Sequence, residues 1–385
     1  MIGPDRVNKD TEDSNKQTTQ KQSYSIPGMP SPENNGKPLS TFEYWPAWVV
    51  FLPVIFQWAL LAIRYRSLSL PLIANPKIPL SGMLGFPKSD VLLAVESDTR
   101  TSVLPLITHR VSGDWDSQLK AIDEQLQQHQ LTLPLVGKPD IGRRGAGVRL
   151  LKDKQQLAEY LRSYPEGGKL ILQKLATWEP EAGVFYVREP GQKQGKIISL
   201  GLKYSPYLVG DGIRTLGQLL ADDERAGQLE YLYKERHKHM WDTVIPAGKP
   251  YRLVFSFSHC RGAIFRDGNQ YITEALTEQL DKILGTLPEF YYGRLDIKFR
   301  DIDSLMRGET LEIVEINAAG SESLHIWDNR AKLSEAWRAL LYQYNTLFRI
   351  GNQNRNRGYR TPGIMSLWRA WKYEQSLEKY YPQTD

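Results

Sequence analysis

Between Leu133 and Tyr344 the chain switches repeatedly between two hydrophobic periods. Short runs rich in apolar, β-branched and aromatic residues predict strands at Leu133–Lys138, Leu170–Gln173, Gly183–Val187, Lys196–Tyr204, Tyr251–Phe257 and Gly262–Phe265. Apolar residues recurring every three to four positions predict helices at Lys154–Arg162, Leu216–Leu220, Glu274–Leu284 and Lys332–Tyr344, with a charged helix near Asp222–His239. A polar helix near Ser117–Gln130 and a short apolar run at Val91–Val95 precede them. Helices interleaved with strands in this way predict an α+β (α/β) domain with helices packed on antiparallel-rich sheets.

Two polar-apolar alternations stand out late in the chain. Arg294, Asp296 and Lys298 share one strand face, and Glu315 and Asn317 share a face of the next strand. The polar connection Asp301–Thr310 holds Gly308, which suits a return loop between antiparallel neighbours. Paired, the strands place three oxygen-bearing side chains and two cations on one surface, with Leu295, Ile297, Val314 and Ile316 buried behind. Asp, Glu and Asn oxygens suit Mg²⁺ that also holds phosphate oxygens.

The flanks differ in character. Residues 1–40 are rich in Asn, Gln, Ser, Thr, Lys, Asp and Pro, which predicts a disordered tail. Residues 44–66 form an apolar segment with no charge from Tyr44 to Ile63, bounded by Trp45, Trp48 and Arg64-Tyr65-Arg66. Twenty residues reach about 30 Å as a helix, so the segment is expected to associate with a membrane, spanning it or lying in its interface, with the chain after Arg66 in the cytoplasm. Pro46 and Pro53 weaken the helix, and the rival reading is a hydrophobic lid packed on the domain. Residues 67–131 read as an N-terminal subdomain, 132–350 as the main domain and 351–385 as a basic tail. That tail carries Trp368, Trp371 and Leu377 along one side of a short helix, docked on the domain or on a membrane surface.

Composition narrows the chemistry. A formal charge of +5 with 24% charged residues gives no electrostatic reason to expect nucleic acid. The single cysteine, Cys260, excludes an internal disulfide, and its neighbours in Ser258-His259-Cys260-Arg261-Gly262 point to opposite faces of a strand, so it reads as packing. Arg261 remains a candidate for binding an acidic substrate. His237 and His239 lie in a charged run that reads as a solvated helix face rather than a zinc site. Val209–Thr215 reads as a tight turn with Thr215 capping the next helix.

Lys138 ends a strand, and Gly142-Arg143-Arg144-Gly145-Ala146-Gly147-Val148 comes directly after it. Glycines let a backbone approach a ligand and expose amides to an anion, and the two arginines strengthen the phosphate reading. No Gly-Lys-Ser/Thr ends the loop, so it is not a Walker loop.

Taken in order over residues 130–330, these elements resemble the ATP-grasp superfamily, in particular D-alanine–D-alanine ligase and glutathione synthetase. The lysine strand and glycine lid, the strand Leu172-Gln173-Lys174-Leu175 with Glu181, the Gly293-Arg294-Leu295-Asp296 strand, and Glu315-Ile316-Asn317 with Ala318-Ala319-Gly320-Ser321 keep the family's order. The resemblance implies an ATP-grasp fold whose two α+β subdomains grip ATP. It implies ATP contacts from Lys138, Gly142, Arg144, Gly145, Gly147, Gln173, Lys174, Leu175, Glu181 and Lys203, with Lys88 as a further phosphate candidate. It implies Mg²⁺ on Asp296, Glu315 and Asn317, and catalytic roles for Arg294, Ser321 and His325 facing the second substrate. The implied reaction activates a carboxylate as an acyl phosphate and joins it to an amine, on small-molecule or lipid-linked substrates. Rivals are an ATP-grasp kinase or phosphotransferase, and a nucleotide-binding regulatory protein without turnover.

Overall fold

The alternating segments pair into sheets through their hydrogen-bonding edges. The computed structural model describes residues 24–32, 39–96, 98–258 and 261–384. Strands β1 (Leu106–Arg110), β2 (Leu135–Pro139), β3 (Arg149–Leu151) and β4 (Lys169–Lys174) form one sheet in the order β1-β4-β2-β3. Next come β5 (Glu181–Val187), β6 (Lys196–Tyr204), the two-stranded ribbon β7 (Tyr207–Val209) and β8 (Pro250–Arg252), then β9 (Ile264–Asp267), β10 (Tyr292–Lys298) and β11 (Glu312–Asn317). The second large sheet runs β11-β10-β5-β6-β9, and its neighbours pair antiparallel, as do those of the first. The fold is therefore α+β. Because β1 pairs with β4, the subdomain boundary expected at residue 131 cuts through a sheet and does not divide the chain there.

Amphipathic helices cover each sheet. Ile122 and Leu126 of helix Trp115–Gln128, with Leu157 and Leu161 of helix Lys154–Arg162, bury against Leu135, Leu170 and Leu172. Leu276, Leu280, Ile283 and Leu284 of helix Glu274–Gly285 bury against Val184, Leu295 and Ile297. Each of these helices starts at a side-chain cap: Asp114, Asp153 and Thr273 accept from Ser117, Gln156 and Leu276 N–H. Thr215 forms the expected cap, as one half of a capping box with Gln218.

Other expectations shift. The charged helix shortens to Glu230–Arg236, and the helix expected at Lys332–Tyr344 runs on from Leu333 to Asn356. The strand expected at Tyr251–Phe257 ends at Arg252, and its remainder is a loop. Helix Ile302–Met306, capped by Asp301, fills the return connection. Of the expected tail 1–40, residues 1–23 and 33–38 lie outside the described residues. Within 24–32, Ile26 and Met29 are buried and the Pro30 carbonyl accepts from Tyr204 Oη at 3.0 Å, so that stretch is packed rather than disordered. Two apolar anchors suffice where average composition predicts none.

The apolar segment becomes two helices, Ala47–Val50 and Leu52–Tyr65. Pro53 sits in the first turn of the second helix, and Arg66 ends it in the left-handed region at φ 50°. Among the described residues no helix is long and apolar enough to cross a membrane, which corrects the spanning half of the expectation. One side of helix Leu52–Tyr65 packs on Leu333–Asn356: Trp58 meets Tyr344 and Phe348, and Gln57 donates to the Leu341 carbonyl at 3.0 Å.

One buried side chain ties this layer to the sheet. Asn75 is fully buried; its Oδ1 accepts from Tyr291 and Tyr292 N–H at 2.8 and 3.0 Å, and its Nδ2 donates to the Tyr292 carbonyl at 2.8 Å. It fixes the start of β10, two residues before Arg294. Asn75→Ala strands buried backbone groups and is expected to cost on the order of 2–3 kcal/mol in urea unfolding; an unchanged midpoint contradicts this anchoring role.

Candidate active site

Strands β10 and β11 pair as the alternation requires, with Arg294 opposite Asn317 and Asp296 opposite Glu315. The register then slips, because Ile297 faces Ile313 rather than Val314. This bulge was not legible in the period-two pattern, and it turns Val314 from the expected core position to the cavity side. Ile313 fills the core instead, beside Leu295, Ile297 and Ile316. The bulge also frees the Val314 carbonyl, which accepts from Lys138 Nζ at 3.0 Å.

Over this face lies a cavity of about 920 Å³ walled by both large sheets. Asp296, Glu315 and Asn317 line it together with Arg294, Lys203, Lys298, Lys138 and Lys88. Charges alternate across it. Lys203 Nζ lies 2.8 Å from Glu181 Oε1 and 3.0 Å from Asp296 Oδ1, and Arg294 Nε donates to Asp296 Oδ1 at 2.9 Å. Lys298 Nζ reaches Glu181 Oε2 at 3.1 Å, and Lys88 Nζ reaches Glu315 Oε1 at 2.5 Å. Asn317 Nδ2 donates to Asp296 Oδ2 at 3.2 Å.

These contacts decide the protonation states. Burial alone raises a carboxyl's pKa, but Arg294 and Lys203 outweigh it and hold Asp296 below the usual carboxylate range. Burial likewise opposes ionisation of Glu315, yet Lys88 and Lys138 keep it below its ordinary value despite Asp296 nearby. Burial disfavours charged Lys203, and Asp296 with Glu181 reverses this, so its pKa rises. Lys138 differs. Burial dominates there and lowers it to about 8, with Glu315 opposing and Lys88 reinforcing the shift.

The cation-binding residues expected from sequence come together. Two carboxylates and one amide form an oxygen donor set suited to a hard cation that completes its shell with phosphate oxygens and water. Among the described residues no three His, Cys, Asp or Glu side chains gather into a metal cluster of their own.

The residues expected from sequence to contact a nucleotide reach the same cavity with one exception. Gly142, Arg144, Gly145, Gln173, Lys174, Leu175 and Glu181 line it, and Gln173 Oε1 accepts from Lys138 Nζ at 2.8 Å. Gly147 does not: its N–H donates to Thr384 Oγ1 at 3.0 Å, and its carbonyl accepts from Tyr160 Oη at 2.8 Å. Glu181 is committed to two lysines. Arg144 and Gly145 adopt left-handed φ of 53° and 68°, and a Cβ on Gly145 would lie 2.9 Å from Ser256 Oγ. The glycine loop is thus seated against the loop after β8, where Arg261 Nε donates to the Arg144 carbonyl at 2.9 Å. Arg261 does not line the cavity. Cys260 and His259 lie outside the described residues.

Ser321 lines the cavity with its hydroxyl donating to the Ala318 carbonyl at 2.6 Å. His325 is not brought there. It lies in a 3₁₀ turn, Leu324–Trp327, in which positions three apart share a side; Leu324 and Trp327 face the cavity and His325 does not. Its imidazole sits near Asp267, Asp328 and Glu335, with its pKa lowered chiefly by burial. No local pattern marks Trp178, Arg252, Phe257 or Glu374, yet all line the cavity: Trp178 and Phe257 from loops, Arg252 from the end of β8 and Glu374 from the C-terminal helix. Long-range loop placement gives no local signal. Lys298 was visible on the strand face, but its link to Glu181 depends on β10 pairing with β5.

No protein-family model matches the chain, and no curated protein matches it. Among solved structures it is similar to D-alanine–D-alanine ligase from Bacillus anthracis complexed with ATP, at 13% identity and a TM-score of 0.35, covering 69% of this chain and 67% of that one. It is similar to VanG D-Ala:D-Ser ligase from Enterococcus faecalis, at 13% identity and a TM-score of 0.37, covering 69% and 62%. For the bifunctional glutathione synthetase from Pasteurella multocida, identity is 13%, the TM-score 0.32 and coverage 69% and 38%. The chain spans less than two thirds of the latter two proteins.

Asp296→Ala leaves two buried cations without their shared anion, and is expected to destabilise the fold by about 3 kcal/mol. Because folded Asp296 and Glu315 have lowered pKa values, their contribution is complete above the unfolded carboxyl range and lost as pH falls through about 4 and below. Urea unfolding between pH 3 and 7 checks this; a wild type and Asp296→Ala that differ equally at both ends contradict it.

Proposed function

We propose that the chain is an ATP- and Mg²⁺-dependent ligase that activates a carboxylate as an acyl phosphate and joins it to an amine. The observation that carries this reading is the cavity floor, where Asp296, Glu315 and Asn317 meet five cationic side chains beneath a glycine loop. Such a floor matches a triphosphate and a hard cation better than any neutral ligand. Supporting it is the exchange the geometry permits: each acid is matched to a lysine or arginine that a phosphate oxygen can take over.

Asp296, Glu315 and Asn317 are the residues to hold Mg²⁺, which when bound supplies charge neutralisation to the transferring phosphoryl group. Lys203 and Arg294, kept protonated by Asp296, hold positive charge where the phosphoryl oxygens arrive. Lys138 sits at the end of β2, with the Val314 carbonyl and Gln173 fixing its direction. The glycine loop and the loop after β8 close the cavity from one side, which excludes water from the reactive acyl phosphate. A carboxylate oxygen attacks the γ-phosphorus and ADP leaves. The amine then attacks the acyl carbon and gives up a proton to solvent, and phosphate leaves carrying that carboxylate oxygen.

The cavity also holds Trp45, Phe51, Phe257 and Trp327, which favour substrates with an apolar portion.

Three results test the reading. Phosphate release from ATP by the full chain is expected only when both a carboxylic acid and an amine are present; a stable phosphorylated product without phosphate release favours a kinase, and ATP binding without turnover favours a regulatory protein. Asp296→Asn and Glu315→Gln are expected to lower turnover by about 10²–10³, and full activity in both rejects the metal assignment. ATP affinity is expected to fall as pH rises through about 8, where Lys138 loses its proton in the free protein. Lys138→Met flattens that profile, and an identical profile in the variant removes Lys138 from the phosphate site.

A further inference from the structure

Helix Leu52–Tyr65 buries only one side. Leu52, Ile55, Phe56, Leu60 and Ile63 remain 56%, 58%, 69%, 53% and 75% exposed, and Trp48 precedes them at 66%. Single exposed apolar residues are ordinary, but six large ones along one short helical stretch form a patch that demands an occupant. Beside it runs an apolar groove of about 380 Å³. Phe51 lines both this groove and the 920 Å³ cavity, so the outer apolar face continues into the cavity rim.

Charge identifies the occupant. Residues 44–89 contain no Asp or Glu, and neither do residues 336–373, which include most of the helix on which the apolar helix packs. Together the two segments carry 11 Lys and Arg, while the rest of the chain has 38 basic and 44 acidic residues. Arg349 and Arg357 pair with Glu189 and Glu289. Arg64, Arg66 and Arg355 stay exposed where the apolar helix ends, and Arg355 Nη1 donates to the Tyr65 carbonyl at 2.9 Å. The C-terminal helix Ile364–Glu378, whose Ala370 lies against Gly85 of the cavity wall, exposes Ile364, Met365 and Trp368 beside Arg369 and Lys372. Tryptophan, aliphatic side chains and unopposed arginines on a surface-lying helix match the interface of an anionic bilayer. A second copy of the chain offers no carboxylate from these same segments, so self-association leaves the arginines unmatched.

We propose that the outer face of helix Leu52–Tyr65, extended by Trp48, docks in the plane of an anionic lipid surface, without crossing it, and holds the cavity rim against that surface. The docking is independent of the ligase reading, because it uses none of the residues on the cavity floor.

Co-sedimentation of the full chain with vesicles tests it, without nucleotide present. Vesicles of phosphatidylcholine with about one third phosphatidylglycerol are expected to pellet the protein, at least tenfold more tightly than phosphatidylcholine alone, and less tightly as salt rises. The double variant Ile55→Glu/Phe56→Glu is expected to lose binding tenfold or more, with its melting temperature unchanged. Should that variant fail to fold, Arg64→Glu/Arg66→Glu is expected to weaken binding to anionic vesicles alone. Three results overturn the proposal: a native chain that stays in the supernatant with both vesicle types, charge and apolar variants that pellet like the native chain, or a dimer that Phe56→Glu converts to a monomer while no vesicle binding occurs.

Discussion

The site depends on one buried carboxylate. Asp296 sits between Lys203 and Arg294, and Lys203 passes the charge on to Glu181, which in turn meets Lys298. None of these groups is stable alone in so buried a place, because removing a charge from water costs several kcal/mol unless it is paired. The partners come from β5, β6 and β10, so the sheet must be assembled before any of them is neutralised. The charges are therefore preorganised by strand pairing rather than gathered by a ligand.

That constraint accounts for much of the surrounding architecture. Gly183, opposite Asp296 on β5, leaves room that a Cβ would take from Leu324 and the Arg294 side chain, at 2.5 and 3.1 Å. Asn75 fixes the entry to β10, and the bulge between β10 and β11 sends both Val314 and Glu315 to the cavity side. Lys138 reaches the same floor from the other sheet through the Val314 carbonyl. The two sheets are thereby joined across the cavity by a lysine whose proton is weakly held.

Much of this was legible in the chain itself. The faces of Arg294, Asp296, Glu315 and Asn317 stem from a period of two, and the capping residue Thr215 marks a helix start that the structure keeps. Features that depend on non-local packing were not legible. The bulge that inverts Val314 leaves no trace in polarity, since valine suits either face. His325 comes after a serine-rich loop in sequence but turns away because a 3₁₀ turn, not a strand, carries it. Gly147 belongs to the glycine loop, yet its amide is taken by Thr384, more than two hundred residues later. The apolar segment read as long enough to span a bilayer, and Pro53 with the left-handed Arg66 confines its main helix to 14 residues.

If this paired-charge floor serves acyl phosphate chemistry, one oxygen atom of the acid must end in the released phosphate. With the consumed acid labelled with heavy oxygen in its carboxylate, the ligase reading predicts that phosphate released during turnover carries one labelled oxygen. Unlabelled phosphate, or label retained entirely in the acid while ATP is spent, contradicts it.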